Sequence, residues 1–131
     1  MANYRSFYLP LHIMIKNVAK IFCLIAVVMI VGCQDCKTLF RLHKELAEAF
    51  RMKGEHDFRL EELQECMKLA DEKDVNELTY QMGQCYFQLR QRDKARDCYT
   101  KFLEATENKE YNDKIKQMRR SAEQTLRMMM W

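Results

Sequence analysis

The chain has 131 residues, a formal net charge of +3, six cysteines, three glycines and one proline. This length suits one domain, and so few glycines and prolines leave little of the turn chemistry that a β-sheet needs, so the composition predicts an all-α fold. Segment 1–32 has no acidic residue, and its Arg5, Lys16 and Lys20 account for the net charge. Because binding to phosphate backbones needs a clear basic excess, the neutral remainder is not expected to take nucleic acid as its main partner.

The first predicted element is the apolar run IFCLIAVVMIV at 21–31, which follows Lys16 and Lys20. A membrane-spanning helix needs about 20 apolar residues, and this run is much shorter. A basic segment, a short apolar core and a small residue such as Gly32 are typical of a secretory signal peptide. A short uncleaved anchor and a buried core helix remain as alternatives.

The apolar run ends in IVGC at 30–33, which resembles the lipobox of bacterial lipoproteins. The resemblance implies cleavage before Cys33 and attachment of a lipid to its thiol. It therefore predicts a signal peptide at 1–32, a lipidated tether at 33–38 and a location in the cell envelope. With Gln34 after the cysteine, it implies the outer membrane, facing the periplasm, in a diderm bacterium. A start at Met14 improves the fit, because MIKNVAK is a typical leader start.

Cys33 and Cys36 form a C-x-x-C pair, a spacing that zinc and redox sites also use. A zinc site needs two further ligands, and the sequence contains neither a second pair of this kind nor two histidines at helical spacing. A lipidated Cys33 could not serve as a ligand. We therefore expect no metal and no cofactor.

The next segments repeat. Segment 39–58 aligns with 75–94, an offset of 36 residues (from 39 to 75), and each is followed by a second helical pattern. A small residue (Ala47, Gly83) and an aromatic residue three positions later (Phe50, Tyr86) make each segment resemble the tetratricopeptide repeat. The resemblance implies about two helical hairpins over 39–108, with a close helix crossing at each small residue.

The sequence departs from the repeat pattern in three places, and in one of them Glu107 stands where the family has its closing proline. Arg59 stands in the first repeat where the second has the small residue Ala95, and Arg90 and Gln91 replace a turn glycine in the second.

The last element, 109–131, has an apolar stripe with spacings of three and four, formed by Ile115, Met118, Ala122, Leu126 and Met129. It predicts a C-terminal helix near 112–129 that covers the open end of the stacked repeats. The sequence MMMW at 128–131 exceeds what a capping helix needs. It is a frayed tail, a stripe packed on the repeat, or a hydrophobic contact for a partner or membrane surface.

In tetratricopeptide arrays the first helices line a groove that holds a partner peptide. The resemblance therefore implies a partner-binding face made of Arg41, Lys44, Glu48, Arg51, Met52, Glu77, Tyr80, Gln84, Phe87 and Gln88. Tyr80 and Phe87 are two turns apart on one helix and point the same way. We expect them to be exposed as binding aromatics, with packing in the core as the alternative.

Two cysteines of the repeats, Cys66 and Cys85, fall on facing helices of the repeat pattern, so they either form a disulfide or fill the core as small apolar side chains. Catalytic residues are not expected: serine is scarce, and none of the three histidines belongs to an acid–nucleophile motif.

The expected function is that of a lipid-anchored adaptor. It would bind a protein or peptide, rather than a small-molecule substrate, and help to assemble a membrane or secretion complex. The alternative is a cytosolic chaperone-type repeat protein with an uncleaved N-terminal anchor.

Overall fold

A computed structural model describes residues 5–108 and 112–130, with side chains from residue 13 onward except those of 30, 31, 33 and 34. Its helices are α1 (Arg5–Lys53), α2 (His56–Leu69), α3 (Glu72–Gln88), α4 (Arg92–Ala105) and α5 (Asp113–Met129). No strand occurs within the described ranges, so the all-α prediction is confirmed.

The chain divides into two compact units, Met1–Thr38 and Leu39–Trp131. In the first unit the backbone is helical from Arg5 onward, and all the described side chains from 13 to 29 are exposed. Within the described part of the chain, no helix combines the length and the apolar character that crossing a membrane requires. The side chain of Cys33 lies outside the described residues, so lipidation at Cys33 remains a prediction.

The second unit repeats its backbone geometry at the offset seen in the sequence. α2 and α4 have the same length and the same relative position. The amide of Glu55 donates to the carbonyl of Phe50 at 3.0 Å, and its counterpart Gln91 donates to Tyr86 at 2.9 Å. The left-handed backbone position in the first turn is Gly54 (φ 74°), and in the second it is Arg90 (φ 59°). Glycine adopts this conformation without a Cβ clash, whereas an arginine there costs about 1 kcal/mol.

Two apolar clusters hold the helices of this unit together. The first joins α1, α2 and α3 through Ala47, Leu63, Cys66, Leu78 and Cys85. The second joins α3, α4 and α5 through Tyr80, Ala95, Tyr99, Phe102, Met118, Ala122 and Met129. On α4 the buried residues follow one another at spacings of four and three, and on α5 at four and seven, so each set forms one stripe on its helix. Burial of these stripes provides most of the driving force for packing.

The closest helix crossing is that of α3 and α4 at Gly83. A Cβ atom on Gly83 would lie 3.0 Å from Cε1 of Tyr99 and 3.3 Å from Cβ of Cys98. These distances are shorter than ordinary van der Waals contact, so a side chain at this position would force Tyr99 or Cys98 to move by a few tenths of an ångström. The predicted close crossing at Gly83 is therefore confirmed.

A polar contact joins α5 to the end of α4. Nη1 of Arg119 donates to the carbonyl of Leu103 at 2.8 Å and to Oγ1 of Thr106 at 2.5 Å. Thr106 is buried, and its hydroxyl donates to the carbonyl of Phe102 at 2.7 Å. Arg119 thus adds a charged donor to one carbonyl in the last turn of α4, where cationic side chains interact favourably with the helix end.

Cys66 and Cys85 lie in the same cluster, and each is a free thiol with a relative exposure of 0 %. The predicted disulfide between them is not formed in this structure. Both act as small apolar core residues, and burial raises the pKa of each thiol above its ordinary value.

Candidate groove site

A pocket of about 290 Å³ opens in the second unit where α1, α2, α3, α4 and α5 each contribute side chains. We call it the groove pocket, and its lining residues are Arg51, His56, Arg59, Gln84, Phe87, Gln88, Tyr99, Ser121 and Thr125. Four of the predicted partner-binding residues are brought together here: Arg51, Gln84, Phe87 and Gln88.

Arg59 is the most deeply placed charge of the groove pocket, with a relative exposure of 5 %. Its Nη2 donates to Oε1 of Gln84 at 3.4 Å, which is long for a hydrogen bond. Gln84 in turn donates through Nε2 to the hydroxyl of Tyr80 at 3.2 Å. Among the described residues, no carboxylate lies within ion-pair distance of Arg59.

His56, the first residue of α2, adds a second polar group to the pocket lining. Its Nδ1 is buried and has no hydrogen-bond partner, and it is alone in this among the side-chain atoms of the described ranges. The residue before it, Glu55, occupies the N-cap position but makes no side-chain hydrogen bond to the helix. His56 and Arg59 both belong to the first turn of α2, where the helix dipole adds a partial positive charge.

An aromatic wall completes the pocket. Tyr99 is 3 % exposed, and Phe87 is half-buried and packs against the second apolar cluster. Burial, with a smaller contribution from Tyr80, raises the pKa of Tyr99 above its ordinary value. Its phenol therefore remains un-ionised at neutral pH.

At the rim, Arg51 is exposed and already paired. Its Nε donates to Oε2 of Glu48 at 2.9 Å, and its Nη2 donates to Oε1 of Glu48 at 2.5 Å. The Arg51 guanidinium holds the pKa of Glu48 below its usual value. Arg59 makes a smaller contribution to the same lowering of the Glu48 pKa, so this carboxylate, held mainly by Arg51, also offsets part of the charge of Arg59.

The other predicted partner-binding residues do not line the groove pocket. Arg41, Lys44 and Met52 are exposed on α1, and Glu77 accepts a hydrogen bond from Nζ of Lys114 on α5 at 2.8 Å.

The expected exposure of Tyr80 is wrong. Its ring is 8 % exposed and lies 5.8 Å from the ring of Tyr99 and 5.2 Å from that of Phe102, between centroids. α4 covers this part of α3, because the crossing at Gly83 brings the two helices close together. Phe87, farther along α3, keeps part of its ring at the pocket.

The sequence interpretation missed His56, Arg59, Tyr99, Ser121 and Thr125 as members of the site. One signal was available for Arg59, because it replaces the small residue of the repeat. Its counterpart Ala95 is fully buried at 0 % exposure. A long charged side chain at such a buried position is costly to keep, which singles it out as a candidate for binding.

The lining of the groove pocket contains two arginines and several amides and hydroxyls that can donate or accept hydrogen bonds, and it contains no aspartate or glutamate. Among the described residues, no group of three or more histidine, cysteine, aspartate or glutamate side chains is arranged to hold a metal ion. No model of a known protein family matches the chain, and a search of curated proteins returns no match either.

Proposed function

We propose that this protein is a lipid-anchored adaptor of the tetratricopeptide type in a bacterial cell envelope. It binds a segment of a partner protein in the groove pocket and helps to assemble a membrane or secretion complex. The observation that carries the proposal is the groove pocket itself. It combines a half-buried aromatic ring, Phe87, with the exposed amide of Gln88 and a buried cation, features typical of peptide recognition. The equal offsets of α2 and α4 and of their turns support the repeat type.

Selection of displayed peptides tests the binding function. The full chain, purified in a non-ionic detergent, serves as the target, and the Phe87→Ala variant serves as the comparison. We expect a related set of peptides to be enriched on the wild-type chain and to bind the variant about tenfold more weakly or worse. Arg92→Ala, a change at an exposed residue outside the groove pocket, is the matched control and should bind like the wild type. If no peptide is enriched, or if all three proteins bind equally, the groove function is wrong.

The lipid anchor has its own test. Cells that express the protein are labelled with radioactive palmitate, and the mass of the mature amino terminus is measured. Cys33→Ser should abolish labelling and leave the precursor uncleaved, whereas Cys36→Ser, a change of the same type three residues away, should leave both unaltered. An unlabelled wild-type protein of full precursor mass would refute the lipid anchor.

The second candidate is a membrane-anchored cytosolic chaperone-type protein with an uncleaved N-terminal helix. The continuity of α1, which runs from Arg5 to Lys53 without ending at Cys33, favours it. The same palmitate experiment separates the two candidates, because this one predicts an intact, unlabelled amino terminus.

A further inference from the structure

We infer that the groove pocket selects peptides by an acidic side chain, whose carboxylate pairs with the guanidinium of Arg59. This inference rests on the proposed peptide-binding function and specifies its ligand as an aspartate or glutamate side chain of the partner. The inference depends on the state of Arg59, on the groups around it and on the charge of the pocket.

The Arg59 guanidinium is buried, and no carboxylate of the described residues lies within ion-pair distance of it, although Glu48 interacts with it at longer range. A buried charge is costly unless it is paired and hydrogen-bonded. Arginine cannot relieve that cost by losing its proton. Within the described part of the chain, its guanidinium makes one hydrogen bond, to the neutral amide of Gln84, and at 3.4 Å this bond is long. A carboxylate would meet the planar guanidinium through two parallel hydrogen bonds, the geometry in which arginine binds anions best.

The neighbouring groups favour the same ligand. Nδ1 of His56 is buried and unpaired, and a ring N–H at this atom can donate to a carboxylate oxygen. The amide of Gln88 and the hydroxyl of Ser121, both exposed, can donate from the rim. The rings of Phe87 and Tyr99 supply an apolar wall for the methylene groups of the incoming side chain.

The positive charge of the pocket lining indicates an acidic partner. The pocket lining contains two arginines and no acid. Glu48, three residues before Arg51 on α1, is engaged with Arg51 through two hydrogen bonds. A volume of about 290 Å³ is at the lower end of ligand pockets, which suits one inserted side chain better than a large cofactor. A glutamate or aspartate on an extended peptide fits this size and charge.

A pair of substitutions, one on each partner, tests the inference. The probe is the tightest peptide from the display selection, synthesised with an acetylated amino terminus and an amidated carboxyl terminus. We expect it to contain an acidic residue whose change to the amide, Glu→Gln or Asp→Asn, weakens binding to the wild-type chain by about tenfold or more. The Arg59→Gln variant should bind the acidic peptide as weakly as the wild type binds the amide peptide, and it should no longer distinguish the two. Arg92→Gln, an exposed arginine at the start of α4, should behave like the wild type.

The stability of Arg59→Gln provides a second readout. Because the substitution removes a buried charge that no carboxylate of the described residues approaches within ion-pair distance, its melting temperature without peptide should not fall below that of the wild type. If Arg59→Gln fails to fold, the Glu→Gln or Asp→Asn change in the peptide still tests the inference, because it leaves the protein unchanged.

Other binding results would contradict the inference, the proposed function or both. Enriched peptides that lack acidic residues, or that bind Arg59→Gln as well as wild type, would refute the acidic ligand while leaving the adaptor function in place. A requirement for a free peptide carboxyl terminus, or equal displacement by inorganic phosphate and by acetyl-glutamate amide, would refute the choice of an acidic side chain. If no peptide were enriched at all, the proposed function and this inference would both fall.

Discussion

Tyr80 packs its ring against Tyr99 and Phe102, whereas Phe87, about two helical turns further along α3, keeps part of its ring on the groove pocket. The two aromatic residues share a face of the helix by their spacing alone. The difference arises from α4, which covers one of them and leaves the other partly open. The first is therefore a core residue and the second a candidate contact for the partner.

Alanine substitutions separate these two roles. Tyr80→Ala should lower the free energy of unfolding by about 3–5 kcal/mol, because it removes a buried ring and leaves a cavity. Phe87→Ala should have a clearly smaller effect on stability, since its ring is half-buried, and should instead weaken peptide binding. Denaturant unfolding of the full chain in detergent measures both free energies. Equal losses of stability for the two variants would contradict the assignment.

The role of Gly83 follows from the short distance between the backbones of α3 and α4, which places Tyr99 and Cys98 next to it. Gly83→Leu would drive a branched side chain into the ring of Tyr99, so we expect a loss of roughly 1–3 kcal/mol or more in the free energy of unfolding. Ala49→Leu, at an exposed position of α1, is the matched control and should change the free energy by no more than about 0.5 kcal/mol. A Gly83→Leu variant as stable as the parent would show that α3 and α4 are farther apart at Gly83 than the distances to Tyr99 and Cys98 indicate.

Sequence reasoning succeeded at Gly83 and failed at Arg59 for different physical reasons. The small residue at Gly83 recurs at a fixed place in a repeat, so the local pattern reveals the crossing. Arg59 lines a pocket together with residues of α1, α3, α4 and α5, and most of these residues are distant from it in the sequence. Arg59 therefore appeared only as a departure from the repeat and not as the centre of a pocket.

At the level of the helices, the turns were easier to predict than the long N-terminal helix. Gly54 stops α1, and the equivalent backbone position in the second turn is Arg90, so the offset between the repeats locates both turns. The predicted C-terminal helix near 112–129 corresponds closely to α5, whose N-cap Asn112 accepts a hydrogen bond from the amide of Ile115 at 3.1 Å. In contrast, α1 continues through 33–38, because QDCKT contains no proline or glycine to end a helix.

In addition to the second apolar cluster, hydrogen bonds from Arg119 join α5 to α4, whereas the adjacent Arg120 is exposed. Arg119→Met should lower the free energy of unfolding by about 1.5–3 kcal/mol, because it removes charge-assisted hydrogen bonds to Leu103 and Thr106. Arg120→Met, one residue further along and exposed, should change it by no more than about 0.5 kcal/mol. The comparison is made by thermal unfolding followed by circular dichroism. Similar melting temperatures for the two variants would mean that Arg119 does not hold α5 to α4.

At the scale of the whole molecule, the buried thiols and Tyr99 make stability sensitive to alkaline pH. Burial raises the pKa of Cys66, Cys85 and Tyr99 in the folded chain, whereas in the unfolded chain thiols ionise near 9.0 and phenols near 10.0. Above these values the unfolded state loses protons that the folded state retains, so rising pH favours unfolding. Full stability is expected below about pH 8, with a progressive loss between about pH 9 and 11.

Unfolding free energies measured across this pH range test the effect. Tyr99→Phe should make the decline shallower at the alkaline end, because phenylalanine has no proton to lose. An unchanged pH dependence in Tyr99→Phe would show that the phenol of Tyr99 is not protected by burial.

The groove function can be tested where the protein acts, with a photo-crosslinking amino acid placed at single positions of the full chain in intact cells. Gln88 lies on the groove pocket, and Thr100 is an equally exposed residue of α4 outside it. We expect a defined protein adduct from position 88, which an excess of the selected acidic peptide suppresses in isolated membranes, and no such adduct from position 100. Adducts of equal yield from both positions, or from position 100 alone, would contradict the binding of a partner in the groove.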